Sequence, residues 1–451
     1  MRRSTADALF YALLLITQII AIIFYGIYHD NITNIQNPNA AVVTANITRY
    51  PWFQDIHIMT FLAMAFFFAF LRRYRLSAIT EVFWVAAITV QYYFLWRALF
   101  YGAWDGYGHF FTSVFDFIQG EYCAISMVIA LGAFIGKANN LQILIDIMIG
   151  IVLYTLNEQI LFNELDVKDI GGSMFVFTFG AWYGLGISWI LNYTDARQSH
   201  NFVTDVNSNT FAFIGTLFLW CFFLSFNSAL AENAFSANIA ITNTYFCLIG
   251  SLLGAYLTSK ILFRGKFHIE HMVNATIVGG IIIGAGADML LDSFSAYIVG
   301  NLFGMLAVVG FTYFSRLFFK MGLNDVAGVA HTFAFPGIIG GLLSAIYRAR
   351  YFDRGGIQVA GTFISFGIAL VGGLIVGVML RWLGSQYSPD EYYNDDINVY
   401  FDNEVDYNAD PKPFWDRHNR LFFGNARHRK VHVIPAYDNN ALDDREVPPV
   451  V

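Results

Sequence analysis

Twelve stretches of roughly twenty apolar residues, separated by short polar breaks, constrain this chain more than any single motif does. They fall near 7–28, 52–71, 78–99, 113–136, 141–163, 170–192, 209–230, 238–259, 270–287, 291–315, 328–347 and 358–383. About twenty helical residues cross the hydrocarbon core of a bilayer, which is about 30 Å thick. Lipid offers no partner to an exposed backbone amide, and no run shows the ten-residue alternation of a barrel strand, so the spans are helices. The expectation is an all-α polytopic membrane protein with about twelve transmembrane helices. Composition agrees: 57% of the residues are hydrophobic and 13% charged, where a soluble domain carries about a quarter charged residues.

The first run follows Arg2 and Arg3 but leads into Tyr28, His29 and Asp30 rather than a small-residue cleavage site, and reads as a retained helix. Cys123, Cys221 and Cys247 all lie inside apolar runs, where buried structural thiols are expected and a disulfide framework is not. Orientation follows from Lys and Arg in the short loops. One side carries Arg2, Arg3, Arg72, Arg73, Arg75, Lys137, Arg197, Lys260, Arg264, Lys266 and Lys320; the other carries Arg49, Lys168, Arg348, Arg350 and Arg354. Both termini are therefore expected in the cytoplasm. Asn31 and Asn46 head glycosylation sequons in the first outside loop. The transmembrane domain is read as 1–384 and the remainder, 385–451, as a polar cytoplasmic tail. That tail has an acidic stretch and then a basic, aromatic one with Phe414, Trp415, Phe422 and Phe423, a set of anchors for the inner membrane face or a protein partner.

One local pattern occurs twice. Asp169-Ile-Gly-Gly172-Ser-Met-Phe-Val-Phe177-Thr-Phe179 and Asp325-Val-Ala-Gly328-Val-Ala-His-Thr-Phe333-Ala-Phe335 both read D-x2-G-x4-F-x-F. They open the sixth and eleventh runs, which cross in opposite directions. This is the mark of an inverted repeat, whose interface houses a transport route. An aspartate at a helix start is favoured by the free amides and dipole there. The glycine is expected to let a second helix approach, and the two phenylalanines stand about two turns deeper, near mid-membrane.

Here the chain resembles the Rhesus branch of the ammonium transporter family. The resemblance rests on Tyr50-Pro-Trp-Phe-Gln-Asp55, Val167-Lys-Asp-Ile-Gly-Gly-Ser-Met174, Ser225-Phe-Asn-Ser-Ala229, Asn274-Ala-Thr-Ile-Val-Gly-Gly280 and Phe335-Pro-Gly-Ile-Ile-Gly-Gly341, in the family's order. It implies a homotrimer or a Rhesus-type hetero-oligomer in the plasma membrane, each protomer with its own narrow apolar pore. Asp169 matches the family's pore aspartate and Asp325 its counterpart in the second half. Glu158 matches an acidic residue of the outer vestibule. Phe226 matches one ring of the outer aromatic gate, and Tyr122 stands at the other, its added hydroxyl needing a partner.

The chain departs from the family at the centre. Conducting members carry two facing histidines eight residues after each aspartate; this chain has Phe177 and Phe333. His331 lies two residues earlier, about 200° around a helix. Imidazoles give a permeating ammonium ion hydrogen bonds and a proton route. A phenyl face gives it about 0.5–2 kcal/mol, short of the several kcal/mol lost on desolvation. The resemblance thus implies a Rhesus-type ammonium/ammonia or gas channel with a dry, Phe-lined central pore, through which charge-coupled ammonium conduction is expected to be poor. The alternative is a non-conducting structural subunit that anchors partners through its tail. No cofactor, metal site or nucleic-acid surface is indicated, and no nucleophile–base pair suggests an enzyme: His268 and His271 flank Glu270 in an order unlike the zinc-protease motif.

Overall fold

Capping residues mark where the apolar runs begin to wind. Ser113 accepts from the Asp116 amide while Asp116 accepts from the Ser113 amide, and Asn139 pairs reciprocally with Gln142. Asp205, Asn233 and Asp292 cap three more helices through Ser208, Ser236 and Ser295. Each cap satisfies an amide that the helix itself leaves unpaired. The computed structural model describes residues 3–28, 48–101, 112–289, 292–352, 354–384, 387, 390–395 and 398–399.

Among the described residues twelve long helices result: α1 (Arg3–Tyr28), α2 (50–67), α3 (Arg75–Tyr101), α4 (Val114–Phe134), α5 (Asn140–Glu164), α6 (Ser173–Ile190), α7 (Val206–Ser228), α8 (Ala234–Leu262), α9 (Ile269–Gly286), α10 (Ser293–Lys320), α11 (Ala330–Arg350) and α12 (Gly355–Trp382). Eleven are long and apolar enough to cross a membrane. The other is α2, whose polar opening of Gln54, Asp55 and His57 dilutes its apolar character. Among the described residues every regular element is helical. Successive helices reverse direction, so α6 starts on the face opposite the amino terminus and α11 on the amino-terminal face.

Burial sorts the helices into layers. Most of α4, α6 and α9 is buried, whereas α1 exposes Leu15 and Ile22 along the periphery, 62% and 71% accessible. Small residues set the closest approaches. Gly250 and Gly254 of α8 lie against the backbone of Tyr297 and Asn301, and Gly300 and Gly304 of α10 against that of Cys247 and Ser251, so any Cβ there would overlap. Without a hydrophobic drive in lipid, such close packing is what holds helices together. Cys123 and Cys247 are buried as expected, but Cys221 is exposed on α7, because its run is apolar on the lipid-facing side as well.

The compact unit runs past the last helix to Val399, and a second unit, Tyr400–Val451, lies outside the described residues, as do the anchors Phe414, Trp415, Phe422 and Phe423. On the amino-terminal face Tyr393 is fully buried with a left-handed backbone, φ 57°. Its hydroxyl accepts from Asn324 Nδ2 at 3.4 Å. Asp395 accepts from the Ser77 amide at the start of α3, 2.7 Å away, and Asn398 donates to Glu81 at 2.9 Å. Burial pushes the Asp395 carboxyl above its ordinary range.

Candidate functional site

The two copies of the repeat fold alike. Ahead of α6, Asp169 Oδ2 accepts from the amides of Met174 and Phe175 at 2.7 and 3.0 Å. Ahead of α11, Asp325 accepts from Val329 at 3.0 Å and Ala330 at 2.8 Å. Both aspartates thus tie down amides of a helix start, the positions the dipole favours. Gly172 and Gly328 each adopt φ 71°, a left-handed conformation that costs other residues about 1–2 kcal/mol. Each glycine turns the chain into the helix, and Gly328 also takes the close approach expected of it, since a Cβ there would overlap Phe311 of α10, whereas one on Gly172 would meet Val176 of its own helix. In the first copy the close approach falls to Gly171, whose amide donates to Gly284 O at 3.0 Å.

Both helices also begin with a stretch of i→i+5 hydrogen bonds, Ser173–Thr178 and Ala330–Ala334. Such wide turns are rare and frequent at functional sites. Phe177 and Phe333 fall inside them. Gly337 and Gly340 of α11 pack against Ser173 of α6, while Phe333 meets Phe177, so the residue numbers run oppositely and the two helices are antiparallel at their contact.

Phe177 and Phe333 stack face to face, ring centroids 5.9 Å apart and planes inclined by 12°. A file of rings continues toward the opposite face through Phe226, 5.5 Å from Phe177 and tilted by 48°, and Tyr122, 4.3 Å from Phe226. The last two rings are tilted by 53°, not stacked, because the Tyr122 hydroxyl donates to the Phe226 carbonyl. That bond gives the hydroxyl the partner it requires. Toward the amino-terminal face Phe67 meets Phe333 edge-on at 6.0 Å, and Phe223 flanks Phe177 at 5.9 Å. The five rings of the file, from Tyr122 to Phe67, are 0–2% accessible and pack on one another. Phe67 and Phe223 were not legible among 46 phenylalanines, since nothing in their local pattern marks them.

Other candidates lie elsewhere. Glu158 is fully buried between α3 and α5 and accepts from the Tyr93 hydroxyl at 2.8 Å; it is not part of the file. His331 points away from Phe177, into a cage of Phe311, Phe318 and Phe335 with centroids 5.2, 5.5 and 5.8 Å away. Its Nε2 is buried with no hydrogen-bond partner. Asn31 and Asn46 fall outside the described residues. Among the described residues no group of three or more His, Cys, Asp or Glu is placed to hold a metal ion.

The resembling motif Tyr50–Asp55 builds a network that the sequence did not disclose. Arg49 donates to the carbonyl of Ala229, just past the end of α7, at 2.5 Å. Ser225 donates to Asp55 at 2.5 Å, and His57 lies 2.6 Å from Glu121. These bonds fasten α2 to α7 and α4, the helices that bear Phe226 and Tyr122.

Chemically, the file is a packed apolar seam between two antiparallel helix starts. An unsolvated cation at its centre would find only ring faces, worth about 0.5–2 kcal/mol, against several kcal/mol of lost hydration.

Known proteins match this chain along most of its length. The model of the Ammonium Transporter Family matches residues 14–404. The chain is 37% identical over 361 residues to the ammonium transporter Rh type C of Rattus norvegicus, covering 74% of this chain and 72% of that one. It is 35% identical over 400 residues to the ammonium transporter Rh type A of Bos taurus, covering 85% and 93%. Among solved structures, Nitrosomonas europaea Rh50, described with the Rhesus family of channels, superposes with a TM-score of 0.71 at 29% identity, over 85% of this chain and 96% of that one. Saccharomyces cerevisiae Mep2, at 17% identity and a TM-score of 0.63 over 77% and 91%, shares the fold.

Proposed function

Because this chain belongs to the ammonium transporter family, on its Rhesus branch, we propose that it passes a neutral species, ammonia or another small gas such as carbon dioxide, and conducts ammonium ion poorly. It is an integral membrane protein of a channel family and not an enzyme. The observation that carries the reading is the Phe177–Phe333 stack, 5.9 Å between centroids, at the junction of the two repeats. A neutral molecule needs no replacement hydrogen bonds there, whereas a bare ion does.

In this reading Tyr122 and Phe226 form the outer gate, Phe177 and Phe333 the central barrier, and Asp169 and Asp325 hold the helix starts that position it. Glu158 serves the vestibule through its neighbours, from behind the wall. The amino-terminal face is cytoplasmic, following the Lys and Arg majority, and the membrane is the plasma membrane. The assembly is a homotrimer or Rhesus-type hetero-oligomer, and Asn31 and Asn46 are the glycan acceptors.

Stopped-flow recording of internal pH in proteoliposomes after an ammonia gradient tests the reading. Faster alkalinisation than in protein-free vesicles supports a gas channel. Equal rates favour the second reading, a non-conducting structural subunit, for which the 0–2% accessibility of the rings speaks. That subunit would hold a protein partner through its tail, and deletion of residues 385–451 would release it.

A further inference from the structure

Lys137, in the short turn between α4 and α5, is 1% accessible and forms no ion pair among the described residues. Its Nζ donates to Ser188 Oγ at 2.6 Å and to the Asn324 carbonyl at 2.7 Å, and Ser188 Oγ donates to the same carbonyl at 2.7 Å. Asn324 directly precedes Asp325, which ties the amides that open α11. The Val326 amide donates to Ala133 O near the end of α4, 3.2 Å away. Over the turn lies Tyr393, whose ring leaves no room for a Cβ on Gly136. Two acceptors match the two N–H bonds of a neutral amine; the third proton of an ammonium ion would be buried without one.

We propose that Lys137 is a proton switch on the amino-terminal face: as the neutral amine it fastens the turn that begins α11, and on taking a third proton it releases that turn. Burial pushes its pKa down to about 7, while Asp325 attracts the charged form and Arg197 repels it. Two phenols complete the surroundings, Tyr387 at the Ala138 carbonyl and Tyr393 at Asn324, and burial keeps that of Tyr393 protonated. Once released, a lysine holds its proton up to about pH 10. Opening therefore takes up a proton wherever the closed state lacks one, and becomes about tenfold easier between pH 8 and pH 6. Asp325, raised to about 6 by burial, opposes this by about twofold because its closed state gains a proton, leaving about fivefold. Phe333 rides on the same helix start, so acid on this face loosens the Phe177–Phe333 stack and alkali tightens it. Ammonia entering, on the function proposed above, would alkalinise this face and brake its own passage; that consequence rests on the proposed function, whereas the switch does not.

Hydrogen–deuterium exchange of the full chain in lipid nanodiscs, read by mass spectrometry on peptides covering 324–333, tests this. After correction for the pH dependence of chemical exchange, these amides should exchange about fivefold faster at pH 6 than at pH 8. Peptides covering 169–178, the matching start of α6, should show no such rise and serve as the control within the same molecule. Lys137→Gln, whose amide keeps two N–H donors and takes no proton, should lose the rise. Lys137→Arg, charged at both pH values, should exchange fast at pH 8 as well. Equal exchange of the native chain at the two pH values would overturn the proposal, as would a rise of the same size at the start of α6. So would a fivefold rise that persists in Lys137→Gln.

Discussion

The openings of α6 and α11 share a backbone and differ in what surrounds it. Each has an aspartate bound to two amides, a glycine at φ 71° and a wide first turn. Six residues after the aspartate, however, the first copy has Phe175, packed on Tyr122, Tyr154 and Phe162. The second has His331, caged by phenylalanines of α10 and α11. Asp169 is 2% accessible, whereas Asp325 is only half-buried. The difference teaches that the aspartate and glycine build the helix crossing, while the side chains on the turns decide what packs around it.

The largest effect should come from the aspartates, and it should be unequal. Asp169→Ala strands two buried amides and should cost about 3 kcal/mol. Asp325→Ala, where water reaches the site, should cost about half as much; thermal unfolding in detergent compares them, and equal losses would break the contrast. The glycines should come next and be more alike. Gly172→Ala and Gly328→Ala each impose a left-handed backbone on alanine, about 1–2 kcal/mol, and push a Cβ against Val176 and Phe311 respectively. If either substitution leaves the melting temperature unchanged, the turn role assigned to that glycine is wrong. The smallest effect should be at His331. Replacing it with Phe removes a buried nitrogen without a partner and should raise stability by about 1 kcal/mol with no change in gas permeation. A loss of permeation would mean that His331 does reach the route.

Much of this arrangement is written in the chain as pattern. The apolar runs specify the helices because lipid permits little else, and the twofold D-x2-G-x4-F-x-F marks the crossing because the starts of α6 and α11 need the same backbone. What the pattern does not show is long-range. Phe67 joins the file from α2, and only the folded chain brings it to Phe333. The glycine's left-handed conformation and the close contact at Gly171 look alike in sequence, since both ask for a missing side chain. Asp395 reads as one of a run of solvated acids, yet it is 7% accessible and bound to the start of α3. The tilt of Tyr122 on Phe226 depends on a hydroxyl finding one carbonyl, which spacing alone does not reveal.

The most direct test of the account is the ammonium-evoked current from proteoliposomes on a solid-supported membrane, for the native chain and for Phe177→His combined with Phe333→His. The native chain should give no current above protein-free vesicles, and the double variant should give one, because paired imidazoles replace the hydrogen bonds that an ion loses. A native current as large as that of the double variant would contradict the claim that the stacked phenylalanines bar the ion.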